Sequence, residues 1–180
     1  MNIFFLDQDA QQAARMHCDK HCVKMILETA QILNTVINLR GTESSIWGYG
    51  ITHIHHPCTK WAGKTRGNFN WLRNLGIALL EEYTFRYGRR HASTNYILGS
   101  GWVSRNNIID GDLVWLPEES NELTPPAQCM PTYCKNEDPV QAYRNYYITE
   151  KYRMLSYTKR EVPKWLTDVG LGNFRPGREE

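Results

Sequence analysis

From Ala10 to Leu39 the chain runs without a glycine or proline while apolar side chains recur at helical spacing; Asp9 ahead supplies a cap and Gly41 behind a stop. A helix this long cannot bury its apolar sides alone, so the rest of the chain must provide helices or loops to cover it. Thr42 to His56, broken by Gly48 and Gly50 and followed by Pro57, reads as a loop. A second helix is expected from about Thr59 to Tyr87, closed by Gly88, and a short one around Ala92 to Leu98. Gly99 to Asp138 shows no sustained period and is expected to be a long irregular region of the kind that often carries function. Asp138-Pro139 opens a third helix to about Leu155, with proline at the first helical position. The expected fold is mainly α: a single domain over residues 1–165 with about three long helices, a short extended N-terminal segment and a mobile tail over 166–180.

No apolar run approaches the roughly 18 residues of a membrane span, so no membrane partner is expected. Five cysteines in a 180-residue chain are an odd number without need of disulfides, which fits a reducing, cytoplasmic setting.

On the first helix, residues 100° apart place His17, Lys20, His21, Lys24, Glu28, Gln31 and Thr35 in one polar stripe facing a groove or solvent. A plain solvated face explains such a stripe equally well, but two imidazoles, two ammonium groups and a carboxylate can also bind phosphate and move protons. Asp19 falls among the apolar positions. A carboxylate there must be paired or protonated, and a structural partner for a backbone amide or a basic side chain is the favoured role, with a tuned base as the alternative.

His17 and His21 have the spacing of two metal ligands on a helix, and His53, His55, His56 and Cys58 add donors on a loop. The Cys18/Cys22 and Cys129/Cys134 spacings are wider than a zinc knuckle's, so no metal and no cofactor are expected; the cysteines are read as core.

The net charge of +2 hides segregation. Lys60 to Arg90 carries seven basic residues against Glu81 and Glu82, and Tyr143 to Lys164 carries six against Glu150 and Glu161. Asn106 to Glu122 holds five acids and no base. Half of the ten tyrosines, Tyr143, Tyr146, Tyr147, Tyr152 and Tyr157, fall in the second basic stretch. Some of these rings will be helix core, yet cations beside flat rings also suit an unstacked nucleic-acid strand.

The extended N-terminus leading to a helix near His17, and Ala142-Tyr-Arg-Asn-Tyr-Tyr147 with Lys151, resemble the bacteriophage pyrimidine-dimer DNA glycosylases of the endonuclease V type. The likeness covers about a third of the chain and implies a helical, DNA-engaging scaffold. That family attacks the sugar with an N-terminal amine exposed by methionine removal, whereas here Met1 is expected to stay before bulky Asn2. Where the family places its catalytic glutamate stands Lys24, with Asp19 and Glu28 the nearest carboxylates.

The expected function is therefore an enzyme acting on an extruded nucleotide of DNA by glycosylase-like chemistry. Asp19 or Glu28 would be the acid/base, and Lys20 or Lys24 a phosphate clamp or amine nucleophile. His17, His21 and His56 would orient the substrate, while Arg89, Arg90, Arg144, Tyr146, Tyr147 and Lys151 hold the strand. A transferase that modifies pyrimidines in phage DNA and a non-catalytic nucleic-acid-binding or host-inhibiting protein are the alternatives.

Overall fold

The computed structural model describes residues 1–40, 48–106 and 120–171, with the backbone alone for 101–106. Among these the chain is helical and has no strand. Seven α-helices follow one another: α1 (Ala10–Met16), α2 (Asp19–Arg40), α3 (Pro57–Ala62), α4 (Arg66–Tyr87), α5 (Thr94–Asn106), α6 (Pro139–Tyr146) and α7 (Lys164–Thr167). The mainly α reading holds, but the long helices are cut differently from their sequence pattern.

The uninterrupted pattern from Ala10 to Leu39 is two helices. His17 is extended, with φ −65° and ψ 129°, and α2 restarts at Asp19, whose amide donates to the Ser156 carbonyl at 2.9 Å. Carbonyls freed by the break are taken up from elsewhere in the chain. Arg86 donates to Arg15 O at 3.1 Å and His17 O at 2.8 Å, and the Tyr157 hydroxyl donates to Met16 O at 3.2 Å. Helix propensity therefore loses to a buried guanidinium that supplies the missing donors.

The second expected helix is likewise split into α3 and α4 by Gly63 to Thr65, where Thr65 Oγ1 accepts from Asn68 N at 3.0 Å and caps α4. Gly88, with φ +67°, ends α4 as expected. The short helix after it starts at Thr94 and is longer than its sequence pattern. Asp138 caps α6 through Val140 N at 2.9 Å, but beyond Tyr146 the helix loosens into a π turn (Tyr147–Lys151) and a 3-10 turn (Tyr152–Met154). Ordered structure continues past 165, since Leu166 of α7 is fully buried. The acidic stretch between 107 and 119 and the tail beyond 171 lie outside the described residues.

Helix α4 packs across α1 and α2, α5 lies against α2 and α4, and α3 lies against α2. Two glycines permit close approach: a Cβ on Gly76 would stand 2.9 Å from Thr29 Cγ2, and one on Gly67 would collide with the backbone carbonyls of Asn121 and Glu122.

The element that positions the site is the N-terminal segment. Residues 2–6 are buried, and Ile3, Phe5 and Leu6 join Met25, Ile26, Leu33, Phe69, Leu72 and Leu75 in the core, each such side chain contributing about 1.5–3 kcal/mol. Phe5 stacks on Trp71 at 4.3 Å, and Trp71 Nε1 donates to Gln8 O at 2.7 Å. Arg144 clasps the segment's exit, donating to Leu6 O at 3.1 Å while its guanidinium sits 5.5 Å over Trp165.

Candidate functional site

The polar stripe of α2 is divided, with Lys20 and Lys24 exposed and other members turned inward. His21, Glu28 and Thr35 are buried, whereas Val23 and Leu27, which the pattern assigned to the apolar side, are exposed. Other segments cover this face: Asn2 N donates to Glu28, the Phe4 ring stacks on His21, which bonds the Tyr147 hydroxyl, and Thr35 pairs with the Thr52 backbone.

Glu28 is the centre of one end. It is 8% exposed, yet its Oε2 accepts from Asn2 N at 2.7 Å and stands 3.9 Å from the Met1 amine, while Oε1 is 3.4 Å from Lys24 Nζ, whose side chain is 68% exposed. A nearly buried carboxylate thus touches two amines, one of which faces solvent. Asn2 extends the arrangement, its Nδ2 donating to Cys129 O at 3.0 Å. Cys129 Sγ lies 3.5 Å from Cys58 Sγ at the start of α3, and His56 caps that helix by accepting from Cys58 N at 3.2 Å. Burial, then the neighbouring Met1 amine, push the His56 imidazole below its ordinary value. The Cys129 thiol is drawn down to about 7 by the hydrogen bond from Cys58, whose own thiol is pushed up.

A second cluster lies beneath Phe4, whose backbone has φ +42°, an uncommon conformation for a bulky residue, with its ring stacked on His21 at 4.0 Å. His21 Nδ1 and the Tyr147 hydroxyl share a hydrogen bond of 2.6 Å, and burial, chiefly, holds this imidazole down to about 3. His17 is fully buried, lowered to about 4 by desolvation, and its Nδ1 donates to Ala13 O at 2.7 Å. Both rings are neutral at neutral pH. His17 and His21 pack with Phe4 rather than opening beside Lys24 and His56.

Asp19 sits elsewhere, in an ionic network. Its oxygens accept from Arg86 Nη1 at 3.1 Å and from Thr158 N and Oγ1 at 3.0 Å. Arg86, fully buried, also donates to Glu82 at 3.1 Å, and Glu82 is further held by Arg160. Both oxygens of Asp19 are thereby hydrogen-bonded, the structural role favoured from its position.

The remaining expected residues are dispersed. Arg144 is occupied with Leu6 O and Asp7, and Arg90 with Asn95. Arg89 lies 5.8 Å over Tyr83. Tyr147, expected to contact a strand, is fully buried and packs as core. Tyr146 is half-buried, with Lys151 Nζ 4.5 Å over its ring, and Lys20 is exposed. Beside burial and the neighbouring His17, the charges of Lys151 and Lys24 also lower the His21 imidazole.

Asn2 and Cys129 were not read as candidate site residues, and Cys58 was read as a loop donor without Cys129 as its neighbour. Cys58 and Cys129 are 71 positions apart, and no spacing rule connects them. The buried run Asn2 to Leu6 was legible as a segment, but not its course along α2. No protein-family model, no curated protein and no solved structure matches the chain.

Proposed function

We propose that this chain acts on DNA by glycosylase-like chemistry on a base or sugar of an extruded nucleotide, with Glu28 as the acid/base. The observation that carries the reading is the Glu28 carboxylate, almost buried and set between the exposed Lys24 amine and the N-terminal backbone. An amine is a nucleophile only when unprotonated, and a carboxylate at 3.4 Å is placed to receive its proton. The Lys24 nitrogen then forms a bond to the sugar C1′ as the bond from C1′ to the base breaks. The base leaves with the electron pair, and the proton held by Glu28 returns to it.

The strand is held by Lys24, Lys151 and Tyr146. Lys151 over the half-buried Tyr146 ring combines phosphate neutralisation with a stacking face, and the exposed Lys24 adds a second cation. The resemblance in the segment around Tyr143 to Lys151 supports DNA as the polymer.

Borohydride trapping on duplex DNA carrying an abasic or damaged base tests this. A covalent protein–DNA adduct is expected, reduced by orders of magnitude in Glu28→Gln, with the adduct mapped by peptide mass spectrometry to Lys24 or to the peptide bearing Met1. No adduct together with no base release would remove the glycosylase reading. DNA binding that survives without turnover would favour a non-catalytic binder, and altered nucleosides in uncut DNA a transferase.

A further inference from the structure

We propose that His56, Cys58 and Cys129 form a binding site for a thiophilic divalent transition metal, for which zinc(II) is the fitting ion, with one coordination position left open. Among the described residues these three are the group whose donor atoms converge, all within 4.8 Å of one another. Around tetrahedral zinc, with bonds of about 2.3 Å to sulfur, two sulfurs lie about 3.8 Å apart. The Cys58 and Cys129 sulfurs stand 3.5 Å apart and unbridged, so coordination asks for movements of a few tenths of an ångström.

The donors are held from separate directions. Cys58 lies in the first turn of α3, directly after Pro57, and His56 N donates to His53 O at 2.9 Å just before it. Cys129 is fixed by Asn2 Nδ2 on its carbonyl at 3.0 Å, and the nearby Ala127 carbonyl accepts from the Tyr143 hydroxyl at 2.5 Å. The His56 Nδ1 lone pair now accepts from Cys58 N at 3.2 Å, a long bond that a metal would replace at the same nitrogen. Two thiolates and one imidazole are a borderline-soft donor set, suited to zinc rather than to magnesium or calcium.

Binding releases both thiol protons to solvent and leaves sulfur and metal oxidation states unchanged. Three protein ligands leave a fourth position for water or a substrate atom, the arrangement of open zinc sites rather than closed structural ones. The site shares Asn2 with the Glu28 cluster, yet it stands without the glycosylase reading, because nothing in its donor geometry involves DNA.

The test uses the full chain, reduced, stripped with a chelator and titrated with cobalt(II) alone. One equivalent is expected to bind with thiolate-to-cobalt charge transfer and tetrahedral visible bands, and zinc(II) is expected to erase the spectrum. Cys58→Ser and Cys129→Ser should each remove about half of the charge-transfer intensity and weaken binding at least ~10-fold, the loss that even an outer-shell change brings. His56→Ala should weaken binding similarly, and Cys134→Ser, at a thiol 3.3 Å from Thr149 Oγ1, should leave the spectrum unchanged. Absent thiolate bands, or an unchanged spectrum in the double Cys58→Ser, Cys129→Ser protein, would overturn the site. So would oxidation of the pair to a disulfide in place of binding. Should a variant fail to fold, alkylation of the wild-type protein decides: zinc(II) should protect Cys58 and Cys129 from modification, and unprotected thiols would refute the proposal.

Discussion

Helix α2 carries two carboxylates in opposite situations. Asp19 accepts from a buried guanidinium and from the backbone amide and hydroxyl of the turn residue Thr158. Glu28 is the more deeply buried of the two, yet one of its partners is an exposed lysine and the other is the backbone of the N-terminal segment. Burial alone does not distinguish these two carboxylates. Their partners do: donors locked by packing fix a charge in place, whereas a solvent-facing amine leaves a proton-transfer route open.

If the Asp19 end is architecture, breaking it must cost stability first. Arg86→Met is expected to destabilise the fold by about 3–5 kcal/mol, because it takes the buried cation from Asp19 and Glu82, leaving them to Thr158 and Arg160, and removes the donors that hold the α1–α2 break. Chemical denaturation measures this, and a loss under about 1 kcal/mol would show that the network is incidental. Asp19→Asn should cost about 1–3 kcal/mol, with Arg86 still paired to Glu82.

The paired histidines add a pH dependence. His17 and His21 are neutral when folded, with values of about 4 and about 3, whereas unfolded imidazoles take a proton near their ordinary value of 6.5. Below about pH 6.5 the unfolded chain binds more protons, so stability falls as pH falls, by about 1.4 kcal/mol per unit for each ring. The decline continues to about pH 4 for His17 and about pH 3 for His21. Unfolding midpoints between pH 7 and pH 4 should show this slope, and His21→Gln should flatten it by one ring's share. A slope unaltered in that variant would mean that His21 is charged in the fold.

The smallest expected effect lies at the surface. Lys151→Ala should leave stability within about 0.5 kcal/mol and weaken DNA binding evenly across sequences, lowering the salt slope by about 1. A change confined to one sequence would place Lys151 on a base instead of a phosphate.

Some of this was legible in the sequence. Asp138-Pro139 announced α6, Gly88 the end of α4, and the position of Asp19 among apolar residues its need of a partner. Glu28 and Lys24 were visible as a pair at helical spacing. The break at His17 was not, because the donors that stabilise it come from Arg86 and Tyr157, remote in sequence. For the same reason the basic stretches misled in part. Arg86 and Arg144 look like phosphate ligands in a charge count but are occupied by backbone carbonyls, and Tyr147 is core. Periodicity reports which side of a helix is polar, not whether solvent or another segment lies against it.

The contrast between the two carboxylates is tested most directly by borohydride trapping on abasic DNA with Glu28→Gln and Asp19→Asn, each normalised to folded protein. The account predicts that Glu28→Gln, which keeps an acceptor for Asn2 N, folds with nearly native stability and loses the adduct, while Asp19→Asn is less stable and traps as wild type does. Full trapping by Glu28→Gln, or its loss in folded Asp19→Asn, would contradict it.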